Sequence, residues 1–177
     1  MDIKIIFEDE NIIVVEKPPK VPSQKDPSGD VNLMSLLNRE YLGLIHRLDR
    51  PVGGVMVFSK NKETTSFLSK GIANDGFHKQ YLAVVCGMPQ EKNGQFKDYL
   101  IKNGSTNVSS VTSKDTKGSK EAILTYSLLE TMVTEELGTL SLLLVTLQTG
   151  RHHQIRVQLS HHGLPIWGDT KYNVLFS

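Results

Sequence analysis

Asp49 lies in the run His46-Arg47-Leu48-Asp49-Arg50-Pro51-Val52-Gly53-Gly54, after a short apolar stretch and before a Pro/Gly turn. Loops at strand ends are where chemistry concentrates. A second run, Thr149-Gly150-Arg151-His152-His153-Gln154-Ile155-Arg156, is cationic. Residues 149–167 hold two Arg and four of the six His, with no Asp or Glu to neutralise them. About a hundred residues separate the two runs, so only the fold can join them. The pair describes one carboxylate working in a basic cleft of the kind that grips a phosphate backbone.

A turn aspartate after a strand is common and often purely structural. Here His46 and Arg47 precede it, and strand alternation would put Arg47 and Asp49 on one side. A neighbouring guanidinium favours the ionised carboxylate, which can then act as nucleophile or base. The later run reads as a helix over Arg151–His162 that opens near Gly150. Its first N–H groups would be open to a phosphate, and Arg156 would share a face with His152. Tyr81, after Lys79-Gln80, starts a strand; beside the Asp49 turn its ring could stack on a base.

The remaining elements must position these groups. Ile3–Phe7 and Ile12–Glu16 read as a hairpin. Lys17–Asp30, with four prolines and a glycine, reads as a loop. Asn32–Leu42 suits a short helix, and Leu44–Leu48 and Val55–Ser59 suit strands flanking the Pro51/Gly53/Gly54 turn. Asn61 can cap a helix running to Ala73 with Phe67, Leu68 and Ile72 on one face. Tyr81–Cys86, Ala122–Leu129 and Thr139–Leu147 read as strands. Within residues 102–120 only Val108 and Val111 are apolar, so the segment reads as a solvated excursion, at most a hairpin. Gly163 ends the last helix. Many strands, few helices and no βαβ alternation predict an α+β fold, a mainly antiparallel mixed sheet flanked by a few helices.

At 177 residues the chain fits one domain over 1–177. The net charge of +1 gives no global basic signal, so charge distribution carries the argument. The lone Cys86 excludes an internal disulfide and points to a reduced thiol. With no membrane-length apolar stretch and no signal-peptide pattern, the expectation is a soluble, cytoplasmic monomer.

Several chemistries fall away. Adjacent histidines point apart, and no cysteine or well-placed carboxylate completes a metal set, so no metal is expected. His-Arg-Leu-Asp is not the kinase His-Arg-Asp; a leucine intervenes and no glycine-rich loop or Asp-Phe-Gly accompanies it. Neither a P-loop nor a dinucleotide fingerprint is present. A glycosidase needs a second acid, and Asp49 has no convincing partner.

An ordered series of motifs resembles the RluA-type pseudouridine synthases. Val14-Val15-Glu16-Lys17-Pro18 resembles the family's opening strand and loop, and His46-Arg47-Leu48-Asp49 with Gly53-Gly54 its catalytic motif. Lys79-Gln80-Tyr81, then Lys120-Glu121-Ala122 with Thr125-Tyr126, resemble its next strands. Thr149 through Val157 resembles its third motif, and Gly168-Asp169 with Tyr172 the usual sequel. The chain departs from the pattern at Pro19-Lys20, at Gly53 where serine is frequent, and in ending at Ser177, where relatives continue into a further C-terminal segment. No S4 domain is expected before the core.

The resemblance implies isomerisation of uridine to pseudouridine in structured ribosomal or transfer RNA, without cofactor or metal. It implies catalytic roles for Asp49, as nucleophile or base, for Arg156, which would pair with it, and for Tyr81, which would stack on the target base. His46, Arg47, Arg50, Lys79, Arg151, His152 and Gln154 are expected to contact RNA. The alternative is a non-catalytic RNA-binding protein derived from the same fold.

Overall fold

A computed structural model describes residues 1–73 and 76–176. The chain forms two compact units, Met1–Phe77 and His78–Ser177.

In the first unit β1 (Lys4–Glu8) and β2 (Ile12–Lys17) form the expected hairpin. Asp9 accepts the N–H groups of Asn11 and Ile12 and so shapes its turn. Helix α1 (Leu33–Leu37) follows, then β3 (Gly43–Leu44), β4 (Gly54–Ser59) and α2 (Lys62–Ala73). The sheet runs β1-β2-β4-β3, antiparallel at every pairing. Ile13 faces Phe58 across the ladder and Val15 faces Met56, and all four are buried. Alternation puts them on one face, whose removal from water stabilises the unit.

Three elements of this unit differ from expectation. Helix α1 ends at Leu37, because Asn38 turns left-handed at φ 44° and its N–H closes on Met34. Its start is as predicted, with Asn32 and Ser35 forming a reciprocal capping box. In α2, Asn61 Oδ1 accepts the Thr64 N–H as an N-cap should. Phe67, however, is 75% exposed, so it does not share a buried face with Leu68 and Ile72.

The strand expected over Leu44–Leu48 stops at Leu44 because side chains take over its hydrogen bonds. His46 Nε2 accepts the N–H of Val57 on β4 at 3.2 Å. The Ser23 hydroxyl both accepts the Leu48 N–H and donates to the Leu48 carbonyl. Gly43 is required at the β3 edge: a Cβ there would lie 2.1 Å from Ser59 Oγ and 2.2 Å from Thr65 Oγ1.

The second unit is a five-stranded antiparallel sheet in the order β5-β9-β8-β6-β7, with α3 on one face. Its strands are β5 (Lys79–Cys86), β6 (Asn93–Asn103), β7 (Val108–Thr112), β8 (Lys120–Thr134) and β9 (Gly138–Leu147); α3 spans Gln154–His161. Ala83, Val85, Leu124, Tyr126, Leu143 and Val145 form the sheet's buried face, and Leu159 of α3 and Leu164 close it. A smaller cluster joins Val157 to Leu100 and Ala122.

Strand β6 was not anticipated. Its Asn-Gly-Gln-Phe-Lys-Asp opening is mostly polar, yet Gly94 lets it pass Tyr126, whose ring would stand 2.6 Å from an added Cβ. The solvated segment contributes β7, which makes a hairpin with β6; Ser109 within it is buried. Among the described residues no helix is long and apolar enough to cross a membrane.

Candidate active site

The residues singled out from the sequence fall in both units. In the first, Asp49 sits half-buried on the loop between β3 and β4, and its carbonyl accepts the Val52 N–H in a tight turn. Arg47 is exposed and Leu48 buried, so the loop is pinned by its leucine and presents its arginine to solvent.

Lys17, at the end of β2, is completely buried. Its Nζ donates to the carbonyls of Pro18 (3.0 Å), Val21 (2.8 Å) and Arg50 (3.3 Å). An ammonium has three donors, and all three are used to tie the proline loop to the residue after Asp49. Burial pulls the lysine down to about 8, against the opposing pull of the nearby Asp49 charge.

Arg50 strengthens the same junction. Its guanidinium donates to the Lys20 carbonyl (3.1 Å) and the Ser28 hydroxyl (3.2 Å) and pairs with Asp30. Expected to contact RNA, Arg50 is engaged with the proline loop that follows β2. His46 is half-buried, with its ring 5.5 Å from that of Phe77. Because Nε2 accepts from Val57, the proton of the neutral ring belongs on Nδ1.

In the second unit the helix starts later than expected. His153 is left-handed at φ 53° and α3 opens at Gln154. Hence the open N–H groups expected near Gly150 are not a free helix end: the Arg151 N–H goes to Gln154 Oε1 (2.9 Å) and the Gln154 N–H to the Arg151 carbonyl (3.2 Å). The expected sharing of a helix face by His152 and Arg156 fails for the same reason, since His152 precedes the helix.

Gln154 is 3% exposed. Its Oε1 also accepts the Thr149 hydroxyl (2.8 Å), and its Nε2 donates to the Ile123 carbonyl (3.1 Å). It clamps the turn onto β8, with its polar atoms satisfied inside the protein. Arg151 is exposed, its Nε donating to the Glu121 carbonyl at 2.7 Å. Lys79 reaches over the turn, its Nζ 3.5 Å from where a Gly150 Cβ would stand. Tyr81 is half-buried on β5 opposite Val145, packed at the margin of the core.

Arg156 is held by a residue that the charge pattern alone did not single out. Its Nε and Nη2 donate to the two oxygens of Asp169, each at 2.7 Å, as a bidentate fork. Burial alone would push the Asp169 carboxyl up, but the Arg156 guanidinium and the N–H groups of Lys171 and Tyr172 hold it below its ordinary value. The Tyr172 ring lies 5.0 Å from the guanidinium carbon. The Tyr172 hydroxyl accepts the Ser109 N–H (2.8 Å) and is hydrogen-bonded to His153 Nδ1 (2.7 Å). His152 stacks on His153 at 3.7 Å and bonds Ser109 Oγ at 2.8 Å.

Contrary to expectation, a carboxylate does accompany the histidines at the far end of α3. One potential ligand atom from each of Asp98, His161 and His162 lies within 4.8 Å of the others. Gln158 Nε2 donates to Asp98 at 2.7 Å, and His162 pairs with it at 3.1 Å while stacking on Phe96. Asp98 lies on β6, the strand missed in the sequence, so nothing local could have revealed the cluster.

Comparison with known proteins places this geometry in context. Residues 11–161 match the family model described as RNA pseudouridylate synthase. A protein named ribosomal large subunit pseudouridine synthase D, from Borreliella burgdorferi, is 32% identical over 96% of this chain and 54% of its own length. A tRNA pseudouridine synthase C from Haemophilus ducreyi is 32% identical over 99% of this chain and 76% of its own. An RNA pseudouridine synthase of Helicobacter pylori is 31% identical over 98% and 56%. The chain thus spans little more than half the length of several curated relatives. The solved structure of human RNA pseudouridylate synthase domain containing 1 superposes with a TM-score of 0.81 at 23% identity, covering 97% of this chain and 70% of that one.

Proposed function

Because the chain belongs to the RNA pseudouridylate synthase family, on its RluA-type branch, we propose that it isomerises uridine in structured ribosomal or transfer RNA to pseudouridine. One observation carries this reading: the family match spans residues 11–161 and takes in Asp49, Tyr81 and Arg156. Residues 1–177 serve as one catalytic domain, acting as a monomer in the cytoplasm.

The reaction is an isomerisation. The N1–C1′ bond breaks, the uracil turns, C5 bonds to C1′, the C5 proton leaves and N1 regains one. A paired uridine must first be extruded, at a cost of about a few kcal/mol. Contacts from Arg47, Lys79 and Arg151 to phosphate offset that cost. Asp49 acts at the ribose as nucleophile or base. Arg156 supplies a guanidinium that stabilises negative charge developing in the reaction. The Tyr81 ring stacks on the base while the C5 proton departs. The anchored loop supports this assignment: Lys17 and Arg50 leave the Asp49 backbone little freedom, and a fixed carboxylate loses less on reaching the reacting geometry.

The test is tritium release from RNA labelled at uridine C5, which reports turnover and not binding. Wild-type protein should release tritium. Binding without release would leave the non-catalytic alternative.

A further inference from the structure

We propose that Asp169 is a positioning residue for catalysis, acting through Arg156; this rests on the assignment of Asp49 and Arg156 made above. A guanidinium carries five N–H donors in one rigid plane. Asp169 takes the Nε hydrogen and one on Nη2. A second acceptor must therefore be met through the three remaining hydrogens, one on Nη2 and two on Nη1, and Asp169 decides where they point.

The carboxylate is itself held. Its Oδ1 accepts the N–H groups of Lys171 (2.9 Å) and Tyr172 (3.2 Å). The side chains of Arg156 and Asp169 are only 12% and 4% exposed, so little water competes for the fork. Tyr172 holds the guanidinium from its ring face, and its own hydroxyl is fixed by Ser109 and His153. The segment carrying Asp169 is fastened to β5, where the Trp167 N–H donates to the Val84 carbonyl at 2.9 Å. Each contact restricts the guanidinium's position or tilt, and none uses a group assigned to the reaction.

Such a residue should affect kcat and leave ground-state RNA binding alone. Misplacing a reacting group by about 1 Å costs on the order of a hundredfold in rate. Asp169→Asn keeps the shape and removes the charge-assisted fork. It should lower kcat roughly tenfold to a hundredfold, with KM and RNA affinity within a factor of about two. In an Arg156→Lys background, where no fork exists to be aimed, Asp169→Asn should lower kcat little further.

The experiment measures tritium release and RNA binding for wild type, Asp169→Asn, Arg156→Lys, the double variant and Asp49→Asn. An unchanged kcat in Asp169→Asn, losses that multiply fully in the double variant, or a loss confined to RNA affinity would each overturn the inference. If Asp169→Asn does not fold, Asp169→Glu decides: it keeps the charge, shifts the fork by one methylene and must lower kcat at unchanged KM. Turnover retained in Asp49→Asn would overturn the parent assignment instead, whatever Asp169→Asn does.

Discussion

The ammonium of Lys17 donates to the carbonyl of Arg50 across 3.3 Å, so a fully buried lysine anchors the residue that follows Asp49. A buried cation on three carbonyls is costly to assemble and costlier to break in half. Lys17→Met should therefore leave the carbonyls of Pro18 and Val21 without their donor, while the Arg50 carbonyl keeps only the Lys20 N–H. We expect a stability loss of about 1–3 kcal/mol, read as a lower midpoint in urea unfolding. A variant as stable as wild type would show that the carbonyls find other partners.

Arg47 and Gln154 were both expected to contact RNA, but they occupy opposite environments, exposed and buried. Arg47→Ala should leave thermal stability unchanged, weaken RNA binding and reduce the slope of affinity against salt by about one. Gln154→Ala should do the reverse. It strands the Arg151 N–H and costs about 1–3 kcal/mol, with the salt slope preserved. Thermal melts and binding titrations over a salt series separate the two.

Asp169 has its carboxyl held below the ordinary value of 3.8. The unfolded chain then takes up its proton first as pH falls, so stability drops with pH. The ion-pair contribution is complete above about 4 and disappears as pH falls through the lower folded value. Asp169→Asn should cost about 3 kcal/mol at neutral pH. Urea titrations should show that gap narrowing below about pH 4; a gap constant down to pH 2 would contradict the assignment.

Gly43→Ala should destabilise the first unit, because the added methyl meets both Ser59 and Thr65 hydroxyls, which are also bonded to one another. A lowered melting temperature is expected, while Gly29→Ala, with nothing within 4 Å but φ +75°, reports backbone strain alone.

Apolar periodicity made the β1–β2 hairpin, β4, β5 and β9 legible, because each alternates or runs apolar between turn residues. Polar strands were not legible: β6 and β7 exist because Phe96, Leu100 and Val111 reach the core from otherwise hydrophilic stretches. Side chains also replaced backbone pairing where no pattern could announce it, as His46 and Ser23 do beyond Leu44. The motif residues themselves were visible by type and order, but their partners were not. Asp169 was noticed only as a member of a resembling motif. Its grip on Arg156 depends on a turn at Gly168, φ +78°, that brings it back beside α3.

On the proposed function, the Asp49 carboxylate drives turnover. Its most direct measurement is tritium release from uridine-labelled RNA by wild type and by Asp49→Asn, at RNA concentrations that saturate both. Wild type should release tritium, Asp49→Asn none above background, and the two should bind RNA with similar affinity. Release by Asp49→Asn at the wild-type rate would contradict it.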